Sequence, residues 1–144
     1  MKEIINEAVD WIKCQDVKGC ITGSCLLDYF EGQDIDVFVY DEASFTKMLY
    51  CMHFNPMFQL LEPIEQWKFK EWTNSKKSSL HKLGLVTLKF KYNLAVDVNV
   101  IYKMKDTNLF NVVSSFDMDI ICKGYDIQTK QELSLSQNEI LRSP

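Results

Sequence analysis

Arginine is nearly missing from this chain: the sixteen basic residues include only Arg142. A bidentate arginine clamp on phosphate is therefore almost excluded, and any phosphate chemistry must lean on lysines, backbone amides and metal ions. Cysteine is present but unpatterned. The five cysteines (Cys14, Cys20, Cys25, Cys51 and Cys122) are an odd number without a CxxC spacing, which argues against a disulfide framework or a zinc ribbon. Cys51 and His53 form the only Cys/His proximity, and they read as a helix end with one buried thiol and one surface imidazole. No apolar run approaches the length of a membrane span. The first residues carry acids and lack the apolar core of a signal peptide, so the expected location is intracellular, in the cytoplasm. Repeats, low-complexity tracts and Pro/Gly/Ser linkers are absent, which leaves one domain over residues 1–144. The net charge of -4 repels nucleic acid overall, so a polynucleotide partner would need a local basic patch.

What remains is an ordinary globular composition, 47% apolar and 25% charged, long enough for a real core. Ile4, Ile5, Ala8, Val9 and Ile12 recur at helical spacing, which predicts an amphipathic helix. "KGCIT" reads as a short strand. "GSCLLDYF" reads as a turn and cap leading into a helix that Gly32 breaks. "DIDVFVY" alternates, with Ile35, Val37 and Val39 on one face and Asp34, Asp36, Phe38 and Tyr40 on the other. "DEASFTKMLYCM" predicts a helix with an acidic start. A strand within 54–61 and a helix opening at Pro63 follow, then a polar loop, "NSKKSS". Two alternating segments come next. Val86, Leu88 and Phe90 oppose Thr87, Lys89 and Lys91, and Val96, Val98 and Val100 oppose Asp97 and Asn99. A turn near Tyr92-Asn93 makes them a hairpin. A short helix capped by Asp106 or Thr107, a strand and turn in "DMDIICKGYDI", and a helix begun at Ser134 complete the pattern. The fold class expected is α/β (α+β), with a mixed, mainly antiparallel sheet flanked by helices.

The chemistry lies in the carboxylates. Residues i and i+2 of a strand face the same way, so Asp34 and Asp36 project together. Asp97 joins them if its strand is the neighbour. All three interrupt apolar strands. Such a cluster is self-repelling unless neutralised, and its hard oxygen donors suit Mg²⁺ or Mn²⁺. A two-metal site of this kind performs in-line phosphoryl or nucleotidyl transfer. Gly23-Ser24, at a strand-to-helix junction, offers amides and a hydroxyl to phosphate, and equally serves as a helix cap.

"ITGSCLLDYFEGQDIDVF" resembles the signature of the DNA polymerase beta-like nucleotidyltransferase superfamily: a hydrophobic residue, Gly-Gly or Gly-Ser, a spacer, then Asp, hydrophobic, Asp or Glu, hydrophobic. Here Ile21 and Thr22 precede Gly23-Ser24, the spacer runs from Cys25 to Gln33, and the pair is Asp34-Ile35-Asp36-Val37. Asp97 in "VDVNV" fits the third carboxylate of that family. The resemblance spans residues 18–102, and "FDMDIICKGYD" resembles a segment that follows the core in some virus-encoded members. It implies the nucleotidyltransferase fold and a reaction that moves a nucleoside monophosphate from an NTP to a hydroxyl with release of pyrophosphate. It also implies two Mg²⁺ or Mn²⁺ ions on Asp34, Asp36 and Asp97, with Gly23 and Ser24 on the phosphates. Asp97 would help deprotonate the acceptor, which is RNA, a protein or a small molecule. The chain has little room for the helical domain of larger members, so a second copy or a partner protein would complete the site. Two rival readings are an antitoxin-like enzyme that modifies a protein hydroxyl and a relative that binds a nucleotide or partner without turnover.

Other residues carry weaker signals. Lys76, Lys77 and Lys89 would contact substrate, or they are solvated charges, and Lys91 shares the strand face of Lys89. Trp67, Phe69 and Trp72 would stack a base or bury their helix. Asp117 and Asp119 form a second Asp-x-Asp without a Gly-Ser at the right distance and are assigned no metal.

Overall fold

The computed structural model describes residues 2–22, 34–61, 86–103, 105–114 and 122–135. The strands are β1 (Gly19–Thr22), β2 (Ile35–Val39), β3 (Phe58–Leu60), β4 (Val86–Tyr92), β5 (Val96–Tyr102), β6 (Cys122–Asp126) and β7 (Glu132–Leu135). The described helices are α1 (Lys2–Lys13), α2 (Glu42–Phe54) and α3 (Leu109–Ser114). The strands form one seven-stranded sheet in the order β3-β4-β5-β2-β1-β6-β7. Among the described residues only the β2–β5 pair is parallel, so the sheet is mixed and mainly antiparallel, with helices on its faces, as the alternation of elements predicts.

One face of the sheet carries the main core. Period-two alternation sends Ile35, Val37 and Val39 of β2 and Val96, Val98 and Val100 of β5 into it. Helix α1 adds Ile5, Ala8, Val9 and Ile12, its apolar stripe, and α2 adds Phe45, Met48, Leu49 and Met52. Aromatic contacts fix the helices on the sheet. The Trp11 ring lies 4.8 Å from that of Phe58, and Phe45 stacks on Tyr102 at 5.7 Å. Tyr92 donates its hydroxyl proton to Glu7 at 2.6 Å, which ties α1 to β4. Helix α2 starts where Asp41 accepts from the Ser44 amide at 2.7 Å, the N-cap that the acidic start announces.

The opposite face is divided. Cys20, Phe38 and Val112 make a second, small apolar cluster with Tyr40, Ile101 and Leu109 around it, so α3 covers the half of this face near β1 and β6. A Cβ on Gly124 of β6 would come within 2.6 Å of Val113 Cγ2 and 2.9 Å of Leu109 Cδ1, so glycine lets α3 lie close to the sheet. The other half, over β2, β5 and β4, holds the acidic residues.

Two sequence expectations need correction. The N-cap of α3 is Asn108, whose Oδ1 accepts from the Asn111 amide at 2.9 Å. Neither Asp106 nor Thr107 serves, because the Thr107 amide is held outside the helix, donating to Tyr40 O at 3.1 Å. Ser134 and Leu135 begin no helix. They belong to β7, which pairs antiparallel with β6 across a turn at 127–129, and backbone pairing prevails there over the local cap signal. The helices expected at 23–30 and 63–74, the loop at 74–79 and the remainder of the helix expected to 143 lie outside the described residues.

Candidate functional site

The register of the β4–β5–β2 strip decides which polar side chains meet. β2 and β5 run parallel with Asp36 level with Asn99, and continuing that register one residue back sets Asp34 level with Asp97. On the other flank β4 runs antiparallel, with Lys89 opposite Asn99 and Lys91 opposite Asp97. The alternation that buries the valines beneath thus gathers three carboxylates, one amide and two ammonium groups on top. Asp97 shares a face with Asp34 and Asp36, as the sequence predicts.

The contacts are specific. Asn99 Nδ2 donates to Asp36 Oδ1 at 2.8 Å and to Asp34 Oδ2 at 3.4 Å. Lys89 Nζ stands 4.0 Å from Asp34 Oδ2 and 4.0 Å from Asp97 Oδ2, and Lys91 Nζ stands 3.6 Å from Asp97 Oδ1. Three carboxylates against two ammonium groups leave one uncompensated negative charge. With the Lys89 and Asp34 side chains 44% and 45% exposed, water screens their attraction, and each such pair contributes about 0–1 kcal/mol. Burial pushes the Asp36 carboxyl above its ordinary value, the Asn99 hydrogen bond and Lys89 oppose that shift, and the charge of Asp34 adds to it. Asp97 Oδ1 and Asn99 Oδ1 are buried and have no hydrogen-bond donor.

These residues fit a hard cation by their chemistry. The donors are oxygens, two of them lack a hydrogen bond, and the face keeps a surplus negative charge. Among the described residues, however, no three His, Cys, Asp or Glu side chains close on a single point. The Lys89 ammonium stands between Asp34 and Asp97 instead. β4 is an interior strand with β3 outside it, so Lys89 and Lys91 are not the solvated charges of an edge.

β1 ends at Thr22, which is buried and paired with Asp36, its Oγ1 donating to Asp36 O at 3.4 Å. The chain therefore leaves β1 at the acidic end of the strip. Gly23, Ser24, Lys76, Lys77, Trp67, Phe69, Trp72, Asp117 and Asp119 lie outside the described residues, as does Cys25. Cys14, Cys20 and Cys51 are free thiols, with Cys51 half-buried and His53 exposed. No described helix is long and apolar enough to cross a membrane.

Sequence reasoning put Asn99 on the carboxylate face and gave it no role. Alternation with Asp97 was the available signal; its pairing with Asp36 depends on which strands are neighbours. A second polar cluster, under α3, left no mark in the sequence. Tyr40 donates its hydroxyl proton to Asp126 Oδ2 at 2.7 Å, and Asp126 Oδ1 accepts from the Gln128 and Thr129 amides at 3.0 and 2.8 Å. Burial pushes the neighbouring Cys20 thiol up to about 12, against a lowering hydrogen bond with Tyr40, so it stays protonated and unreactive at neutral pH. Compared with known proteins, the chain matches no family model, no curated protein and no solved structure.

Proposed function

We propose that the protein is a metal-dependent nucleotidyltransferase of the DNA polymerase beta-like type, which moves a nucleoside monophosphate from an NTP to a hydroxyl acceptor. The observation that carries this reading is the common face of Asp34, Asp36 and Asp97 on two adjacent strands, with β1 ending at Thr22 beside Asp36, just before Gly23-Ser24 in the sequence. Asp34, Asp36 and Asp97 would hold Mg²⁺ or Mn²⁺, taking it in place of the Lys89 ammonium as their counter-charge. Bound there, the cation supplies charge neutralisation for the triphosphate and acidity for the attacking hydroxyl. Asp97 then accepts the hydroxyl proton. The acceptor oxygen forms its bond to the α-phosphorus, the bond to the bridging oxygen breaks, and pyrophosphate leaves with the electron pair. Lys89 and Lys91, released from the carboxylates, can pair with the phosphate oxygens, a role that falls to lysine in a chain with so little arginine.

The test is pyrophosphate release from each of the four labelled NTPs with Mg²⁺ or Mn²⁺, against total RNA, lysate protein and small alcohols. Activity with any pair, lost in Asp34→Asn and Asp36→Asn, supports the reading. A label found only on protein assigns the acceptor to that class.

One observation favours a second reading. Lys89 and Lys91 already neutralise most of the carboxylate charge, which suits a face that binds a nucleotide or partner without turnover. On that reading no cation stabilises the protein, and its melting temperature is unchanged by millimolar Mg²⁺ or Mn²⁺.

A further inference from the structure

We infer that Asn99 is a positioning residue of the cation site, an inference that rests on the reading of Asp34, Asp36 and Asp97 as cation ligands. Asn99 occupies the middle of the strip, with Asp36 level with it on β2 and Lys89 opposite on β4. The two protons of its amide nitrogen serve two carboxylates, Asp36 at 2.8 Å and Asp34 at 3.4 Å. It ties two like charges into one orientation and adds no charge of its own. An aspartate there would bring a further negative charge, and a leucine would supply no donor at all.

The amide oxygen carries the second half of the inference. Asn99 Oδ1 is buried without a hydrogen-bond donor, and so is Asp97 Oδ1, whose nearest charge is Lys91 at 3.6 Å. Native proteins leave few buried acceptors unmet, so two on one strand face call for a ligand or its water. With the Asp34, Asp36 and Asp97 carboxylates taking the ion directly, the neutral amide oxygen of Asn99 is left to the next layer out. A cation that keeps part of its water shell has the reach. Mg²⁺ sheds water reluctantly, and its coordinated waters are hydrogen-bond donors. Asn99 thus orients two ligands through its nitrogen and accepts from a cation-bound water through its oxygen. Removing an outer contact of this kind typically weakens metal affinity about 10–100-fold.

The test is Mn²⁺ binding to the full chain, followed by the loss of the free-ion paramagnetic resonance signal, for wild type, Asn99→Leu and Asn99→Ala, with Asp36→Asn as control. Wild type is expected to bind and Asp36→Asn to bind far more weakly. The Asn99 variants should bind about 10–100-fold more weakly than wild type while keeping the metal-free circular dichroism spectrum. Equal affinity in wild type and in a folded Asn99 variant overturns the inference and leaves the cation reading standing. A wild-type protein that takes up no Mn²⁺ at millimolar concentration overturns both. If the leucine variant does not fold, the smaller alanine decides; if neither folds, Asn99 is a structural residue and the inference falls.

Discussion

The two halves of one sheet face handle acidic side chains in opposite ways. Under α3, Asp126 is 6% exposed and every lone-pair direction that matters is met: two backbone amides on one oxygen, the Tyr40 hydroxyl on the other. Over β4, β5 and β2, Asp34, Asp36 and Asp97 crowd together, share one amide and two ammonium groups at 3.6–4.0 Å, and leave Asp97 Oδ1 without a donor. The first arrangement is what a carboxylate looks like when it holds a fold together. In the second, folding has left repulsion and unmet acceptors in place, which a bound cation or substrate would relieve. Saturation by donors separates a structural acid from a candidate ligand better than burial does.

Four substitutions sharpen or break that contrast. The largest effect is expected from Asp126→Ala, which strands the Tyr40 hydroxyl and two turn amides together. It should cost about 3 kcal/mol in urea unfolding, and a loss below about 1 kcal/mol would end the structural assignment. Gly124→Ala comes next. Its methyl group would press on Val113 and Leu109, and lifting α3 should cost about 2 kcal/mol by the same measurement. Tyr40→Phe removes the hydroxyl's hydrogen bond to the buried Asp126 carboxylate together with its contact to Cys20 and should cost about 1.5 kcal/mol.

Asp36→Asn should have the smallest effect on stability and the opposite sign. A carboxyl raised by burial favours the neutral form in the folded protein, so its stabilisation is present below the unfolded value near 3.8 and is lost as pH rises through the folded value. In metal-free buffer at pH 7 the variant should therefore melt at the same temperature as wild type or up to about 3 °C higher, with a shallower fall in stability as pH rises above 4. A clear drop in melting temperature would place Asp36 with Asp126 as a structural acid.

Much of the fold was legible because one period dominates each element. The valine and isoleucine rows of β2 and β5 and the stripe of α1 declare both the element and its buried side. The misses have a common cause. At Asn108 three capping residues stand in a row, and the helix start was fixed by where Tyr40 O holds the Thr107 amide. At Ser134 the local signal was a cap, and pairing with β6 overrode it.

By itself the sequence determined that Asp34 and Asp36 point the same way, that Asp97 and Asn99 do likewise, and that arginine takes little part, because alternation and composition are local properties. Only the tertiary structure decided that these two pairs face each other across a parallel β2–β5 contact, with Lys89 and Lys91 beside them and Tyr40 closed on Asp126 far along the chain. The reason is that strand order and register come from how the whole apolar surface is buried at once, and no short stretch of sequence contains that information.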